Sequence, residues 1–299
     1  MREPLRHLEG VNRLTLPVRP RSAEHRVVAL FGTLAASAAP CLACDHHGYT
    51  WSLLMFAAPA AAIAVLYRQA GWMLAARRPV LLALAVLAPM GVGLNLVFAH
   101  RFFVYPNRDA VLGLYLRGIP VEEFAFYTLG FLALMLGYLW VRHELLGAHE
   151  APISVVRARP AKALLWSVGL LLLACGLKHG VPGYLSYLLL VPLPALLTGL
   201  PVVRPRLHWP SVAMVLMALL LVSVTWEASL AVPGGWWGYQ HEAMVGLFIR
   251  RWSGLPLEAV LVWFESGLTA VVMLELLLNR QSKTRGGSAR RTAPASALR

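Results

Sequence analysis

Apolar runs of helix length alternate along this chain with shorter charged or aromatic connections. Eight stand out, at residues 27–42, 49–67, 79–98, 120–140, 163–177, 184–200, 210–226 and 256–278. They are apolar throughout, with neither the strict alternation of a half-buried strand nor the single stripe of a helix lying on a soluble core. Such runs read as membrane helices, which need about 20 residues to cross a bilayer upright. Several fall short of that length, and the fifth, with 15 residues, is the weakest. The pattern predicts an all-α, polytopic membrane helix bundle of about eight transmembrane helices.

One offset relates the two ends of the pattern. Adding 136 to 27, 49, 79 and 120 gives 163, 185, 215 and 256, within a few residues of the starts of the last four runs. The same offset relates Gly118-Ile119-Pro120-Val121-Glu122-Glu123 to Gly254-Leu255-Pro256-Leu257-Glu258-Ala259. The chain therefore reads as two tandem four-helix repeats at 27–140 and 163–279, with a tail at 1–26, a linker at 141–162 and a disordered basic tail at 280–299. An even number of spans per repeat leaves both copies in the same orientation, so an axis along the membrane normal would relate them.

Composition agrees with a membrane setting. Hydrophobic residues make up 58% of 299 and charged ones 14%, against roughly 25% charged in soluble domains. Mean hydropathy is +0.62. Of the 27 Lys and Arg, 21 fall in the two tails and the connections on one side of the eight runs and six on the other, which predicts a multi-pass protein of the cell membrane with both termini cytoplasmic. The net charge of +13 is then mostly a topological signal, and with no recognition motif the chain reads as binding the lipid bilayer and no nucleic acid. The first 26 residues hold six arginines and no apolar core, unlike a cleavable signal peptide.

The acids carry the chemistry. Pro120 and Pro256 suit a first helical turn, where a missing N–H has no intrahelical partner, so each motif sets a glutamate near the start of a hydrophobic helix. A carboxylate at membrane depth is costly unless paired or neutralised. In apolar surroundings a carboxyl group can instead persist as the neutral acid, a proton donor for an electron-rich hydrocarbon. Stabilisation of a helix dipole is the plainer alternative. The connections at 99–119 and 227–255 are rich in Tyr, Phe and Trp, which suits either an interfacial belt or a lid over a site where the two glutamate helices meet.

Other chemistries find less support. Cys41-Leu42-Ala43-Cys44-Asp45-His46-His47 has thiols at metal spacing but stands alone, so no metal is assigned. Asp45 and Asp109 are the only aspartates, which leaves no aspartate-rich magnesium site for a prenyl diphosphate. Gly91-Val92-Gly93 is not a dinucleotide fingerprint, and no hydrolase motif occurs. No cofactor is called for.

The tandem membrane units, each ending in a Pro-x-Glu helix, together with Pro120-Val121-Glu122-Glu123-Phe124-Ala125-Phe126 and the Gly234-Gly235-Trp236-Trp237-Gly238-Tyr239 approach, resemble the membrane-integral lycopene cyclases. The resemblance covers roughly residues 50 to 278. Two features depart from it. Ala259 stands where a second acid is expected, and the Trp-Asp pair expected upstream of each motif is Leu94-Asn95 in the first half and Trp226-Glu227 in the second. The chain is thus similar to a divergent member.

The resemblance implies a carotenoid or other isoprenoid cyclase that works without net redox change or cofactor. An acid, Glu122 or Glu123, protonates a terminal double bond of a linear carotenoid; a neighbouring double bond captures the cation in a six-membered ring; and Glu258, or Glu227, serves as the second carboxylate. Asn95, Phe126, Tyr127, Trp226, Trp237 and Glu265 are the expected substrate contacts, Glu265 as a stand-in for the acid lost at Ala259, and Gly118, Pro120, Gly254 and Pro256 the structural frame. Another isoprenoid enzyme, such as a terpene cyclase or hydratase, and a non-catalytic membrane carrier remain alternatives.

Overall fold

A computed structural model describes residues 46–147, 183–190 and 192–291, with scattered helical positions between 25 and 39 and side chains as far as Gln281. The expected runs at 27–42 and 163–177, the linker, and Cys41 and Cys44 lie wholly or largely outside the described residues. Among the described residues from 46 on, the helical segments are, in order, α1 (Gly48–Leu66, with a turn at Leu53), α2 (Gly71–Phe102), α3 (Val121–Trp140), α4 (Gly183–Leu190), α5 (Pro192–Val203), α6 (Trp209–Trp226) and α7 (Leu257–Arg291). Two carry a wider π turn at the end, Val141–Leu145 after α3 and Glu227–Ala231 after α6.

Among the described residues, five helical spans are long and apolar enough to cross a membrane: Gly48–Leu66, Gly71–Phe102, Val121–Leu145, Trp209–Ala231 and Leu257–Gln281. In the run expected at 184–200 the described residues are helical, over Gly183–Leu190 and Pro192–Val203. α2 is longer than its apolar run and absorbs Arg77 and Arg78, which the sequence places in a connection. The tail beyond 280 is helical as far as Arg291.

The core follows from these lengths. α3 packs along α1 and α2, and α7 along α5, α2 and α6. Met135, Tyr138 and Leu139 of α3 are buried against Ala83 and Leu87 of α2 and Val271 and Leu274 of α7. Outward positions such as Leu74, Leu81 and Val86 of α2 and Met217 and Leu221 of α6 are exposed and apolar, as a lipid-facing surface requires.

Charge is also buried between α3 and α7. The Arg142 guanidinium bonds Glu275 Oε1 at 2.5 Å, and the Tyr138 hydroxyl donates to the same oxygen at 2.9 Å. Arg142, read from sequence as a loop charge, is thus a bundle residue. Leaving one member of such a pair alone costs about 3–5 kcal/mol, whereas replacing both with apolar residues of similar volume is close to neutral. Glu275→Gln is therefore expected to lower thermal stability in detergent strongly, and the Arg142→Met, Glu275→Leu double variant to recover most of it.

Two loops close one end of the bundle. Residues 103–120 contain strands β1 (Phe103–Val104), β2 (Tyr115–Leu116) and β3 (Ile119–Pro120); residues 238–256 contain β4 (Gly238–Tyr239), β5 (Phe248–Ile249) and β6 (Leu255–Pro256). β2 pairs with β3 and β5 with β6, while β1 pairs with β4 and joins the loops, Phe103 opposite Tyr239. Asn107 ties them further, donating from its backbone to Gly235 and from its side chain to Gly234, each at 2.9 Å. The motif glycines have a backbone reason: φ is +78° at Gly118 and +71° at Gly254, in the left-handed region that a Cβ disfavours. Pro120 precedes α3 rather than opening it, pairing with Tyr115 in the hairpin, and Pro256 likewise ends β6 before α7. The glutamates still fall in the first helical turn.

Candidate functional site

Glu122 and Glu123 begin α3 and project about 100° apart, so one helix start serves two surroundings. Glu122 turns to its own loop. Its Oε1 accepts from the Leu112 backbone N–H and the Thr50 hydroxyl, both at 2.6 Å. Glu258 repeats the arrangement at the start of α7, its Oε1 accepting from the Val245 N–H at 2.5 Å. In both loops a positive-φ glycine, Gly113 or Gly246, follows the residue so held. These two acids pin the loops to the helices.

Glu123 turns inward. It lines a cavity of about 760 Å³, open mouth included, walled by α3, α6, α7 and the two loops. Glu227 lines the same cavity, and neither Glu122 nor Glu258 does. Of the four candidate carboxylates, the cavity lining thus holds Glu123 and Glu227 and leaves out Glu122 and Glu258. The reason lies in the helix ends: the loops consume the first acid of each motif, and the π turn after α6, marked by the Val232 N–H bonding the Glu227 carbonyl at 3.0 Å, re-aims Glu227.

The two inward acids hold different partners. Tyr49 donates to Glu123 Oε2 at 2.5 Å, and Asn95 sits beside the same carboxyl with its amide nitrogen short of bonding geometry. Glu227 takes one donor on each oxygen, the Trp263 indole N–H on Oε1 at 2.8 Å and the Tyr239 hydroxyl on Oε2 at 3.1 Å. Burial, with Glu227 adding to it, pushes the Tyr239 hydroxyl well above its ordinary range. Burial and Glu123 do the same to Tyr105. Both phenols therefore stay protonated.

Aromatic rings enclose the space between the acids. Phe126 stacks on Trp226 with centroids 5.4 Å apart and meets Trp263 edge-on at 5.2 Å. Trp237 packs on Trp226 at 4.7 Å and on Tyr49 at 5.0 Å. Of the expected contacts, Phe126, Tyr127, Trp226 and Trp237 line this cavity, while Asn95 lines a recess that shares Phe103, Tyr127, Tyr184 and Val262 with it. Glu265 does not line the cavity and leaves Oε2 without a hydrogen-bond partner. Its role as a replacement for the acid missing at Ala259 is not supported by this placement. Farther along α3 from the loops the walls are Gly130, Phe131, Leu134 and Leu219, and a Cβ on Gly130 would meet nothing within 4 Å.

Sequence reasoning missed Tyr49, Thr50, Tyr184 and Trp263. Trp263 was within reach, since it stands 136 residues after Tyr127, one turn beyond the motif in each case. Tyr49 was not, because 74 residues separate it from Glu123. His47, read beside the Cys41 and Cys44 thiols, donates from Nδ1 to the Val111 carbonyl at 2.9 Å and so anchors the first loop.

The split between loop acids and cavity acids is measurable. Glu258→Ala strands the Val245 N–H and is expected to cost about 1–3 kcal/mol of stability. Glu258→Gln keeps an acceptor and costs less. Neither touches the cavity, so thermal midpoints in detergent should fall while turnover per folded molecule stays near normal.

A family model for lycopene cyclases matches residues 46–141 and 183–277, well over half of the chain. No curated protein and no solved structure gives a significant match. The matched segments include every element that lines the cavity, and the chain belongs to the lycopene cyclase family.

Proposed function

We propose that this protein closes a six-membered ring at the end of a linear carotenoid by proton transfer, without net redox change and without a cofactor, as an intramolecular lyase or isomerase. Glu123 is the acid and Glu227 the base. The observation that carries this reading is that these two carboxyl groups line one aromatic-walled cavity. Glu123 protonates the terminal double bond, the next suitably placed double bond closes the ring, and Glu227 removes a proton from carbon. A donor on each Glu227 oxygen suits a group that begins the cycle as an acceptor. The Phe126, Trp226 and Trp263 faces stabilise the intervening cation, and burial keeps water from quenching it. The polyene tail follows the apolar wall past Gly130.

The architecture proposed for this chemistry is eight spans in two tandem four-helix units, lying in the cell membrane with both termini cytoplasmic. The repeated loop geometry, with positive φ at Gly113 and Gly246 and again at Gly118 and Gly254, supports the repeat. So does the spacing of the matched segments, which begin at 46 and 183. Under that repeat the acids are complementary: the first unit has Asn95 and Glu123, and the second has Glu227 and Ala259. One site with one acid from each unit results.

Expression in a lycopene-accumulating bacterium, followed by pigment chromatography, tests the reading. Cyclised product is expected. Unchanged lycopene, with the protein shown to be inserted, would overturn it.

A further inference from the structure

A glycine inside a membrane helix commonly has a packing reason, because small residues let neighbouring helices approach closely. Gly91 and Gly267 show it: a Cβ would lie 2.9 Å from the Tyr127 ring at the first and 2.7 Å from a Leu216 methyl at the second. Gly130 has no such reason. It lies in the middle of α3 on helical backbone that any residue adopts, without a positive φ, and its missing Cβ would meet nothing within 4 Å. Glycine there costs helix stability relative to alanine and gains no contact in return. What the position does have is a cavity, the one lined by Glu123 and Glu227.

Its level in the bundle says which part of a ligand would pass it. Gly130 follows Glu123 by seven residues, two helical turns, or about 10 Å along α3. The reacting end of a substrate lies at the acids, so the atoms beside Gly130 belong to the chain behind that end. α7 contributes Ser266 and Gly267 to the same lining, and Ser266 stands 136 residues after Gly130, so each half of the chain supplies a small residue here. Phe131, Leu134 and Leu219 add apolar surface. This part of the wall carries no charge, which suits a hydrocarbon chain and not a polar head group.

Resting on the ring-closure reading above for the identity of the ligand, we propose that Gly130 is a specificity-determining residue: the space left by its missing side chain seats the unreacted polyene of a long linear isoprenoid. Bulk at position 130 decides whether such a chain is bound. Gly130 meets the chain and not the reacting atoms, so it governs binding and leaves the proton transfers to the acids.

Binding and turnover are read separately. Lycopene binding to the purified protein in detergent is followed by quenching of tryptophan emission, since Trp226, Trp237 and Trp263 line the cavity, and ring formation by pigment chromatography. Gly130→Ala is expected to bind and turn over lycopene close to the wild type, with a raised thermal midpoint. Gly130→Leu is expected to weaken binding and raise KM by about 10-fold or more, with kcat changed far less and the midpoint no lower than that of the wild type. Gly93 of α2 is the matched control, because a Cβ there would also meet nothing within 4 Å but the residue lines no part of the cavity; Gly93→Leu should change neither reading. Gly130→Cys enlarges the position after folding and decides the matter if Gly130→Leu fails to fold. Methanethiosulfonate reagents of increasing size on the introduced thiol should weaken binding stepwise, with the treated wild type as reference for Cys41, Cys44 and Cys175. Wild-type binding by Gly130→Leu or by the largest thiol adduct would overturn the proposal, as would an equal loss in Gly93→Leu. Lycopene that binds in a manner dependent on position 130 yet is never cyclised would overturn the ring-closure reading and leave the seat standing; no binding by the wild type would overturn both.

Discussion

Lycopene presented to the Glu123→Gln protein is expected to remain linear. Gln keeps the length of the side chain and can still accept from the Tyr49 hydroxyl, so the cavity wall stays in place, but it has no carboxylic proton to give. Loss of a general acid lowers rate by about 10² to 10⁴. Glu122→Gln is the matched control. Its neighbour's substitution acts inside the cavity, whereas its own loosens a loop anchored by the Leu112 N–H and the Thr50 hydroxyl and touches stability first. Pigment chromatography with protein quantified in the membrane separates the two. Turnover by Glu123→Gln close to that of the wild type would remove Glu123 from the acid's role, and a loss confined to Glu122→Gln would move that role to its neighbour.

Much of this arrangement was legible along the chain, and the illegible part has a physical cause. Apolar length alone predicts helices at 49–67, 120–140, 210–226 and 256–278, and α1, α3, α6 and α7 stand there. The same criterion is blind to a helix that runs past its apolar segment, as α2 does through Arg77 and Arg78. Adjacent glutamates on a helix must point different ways, so the motif implies that only one of Glu122 and Glu123 enters a cavity. Which one depends on where the hairpin places the loop, and that is set by long-range pairing between β1 and β4. Glu227 was visible only as the second half of a Trp-Glu pair. Its direction comes from a π turn, which adds a residue to the helical ring and has no composition of its own. Asn95 and Ala259 were read as departures from the family's pattern; Asn95 lies beside the Glu123 carboxyl, and Ala259 is buried.

Under the proposed ring closure Glu227 is the second decisive position. Glu227→Gln is expected to fold, since Gln Oε1 can accept from the Trp263 indole while its amide donates to a Tyr239 hydroxyl rotated to receive it. The substituted side chain cannot take a proton from the ring cation, and turnover is expected to fall by about 10² to 10⁴. The kind of residual product carries as much information as its amount. A cation formed by Glu123 and left without its base is lost by proton release at another carbon or by capture of water, so residual pigment should shift towards isomeric or hydroxylated rings. With Glu123→Gln no cation forms, and residual pigment should be linear. The two substitutions act on one sequence of steps, so the double variant should be hardly worse than Glu123→Gln alone, the non-additivity expected of residues that act as a unit. If Glu227→Gln gives the wild-type ring at near wild-type rate, the base lies elsewhere among the groups that line the cavity, and the pairing of Glu123 with Glu227 is wrong.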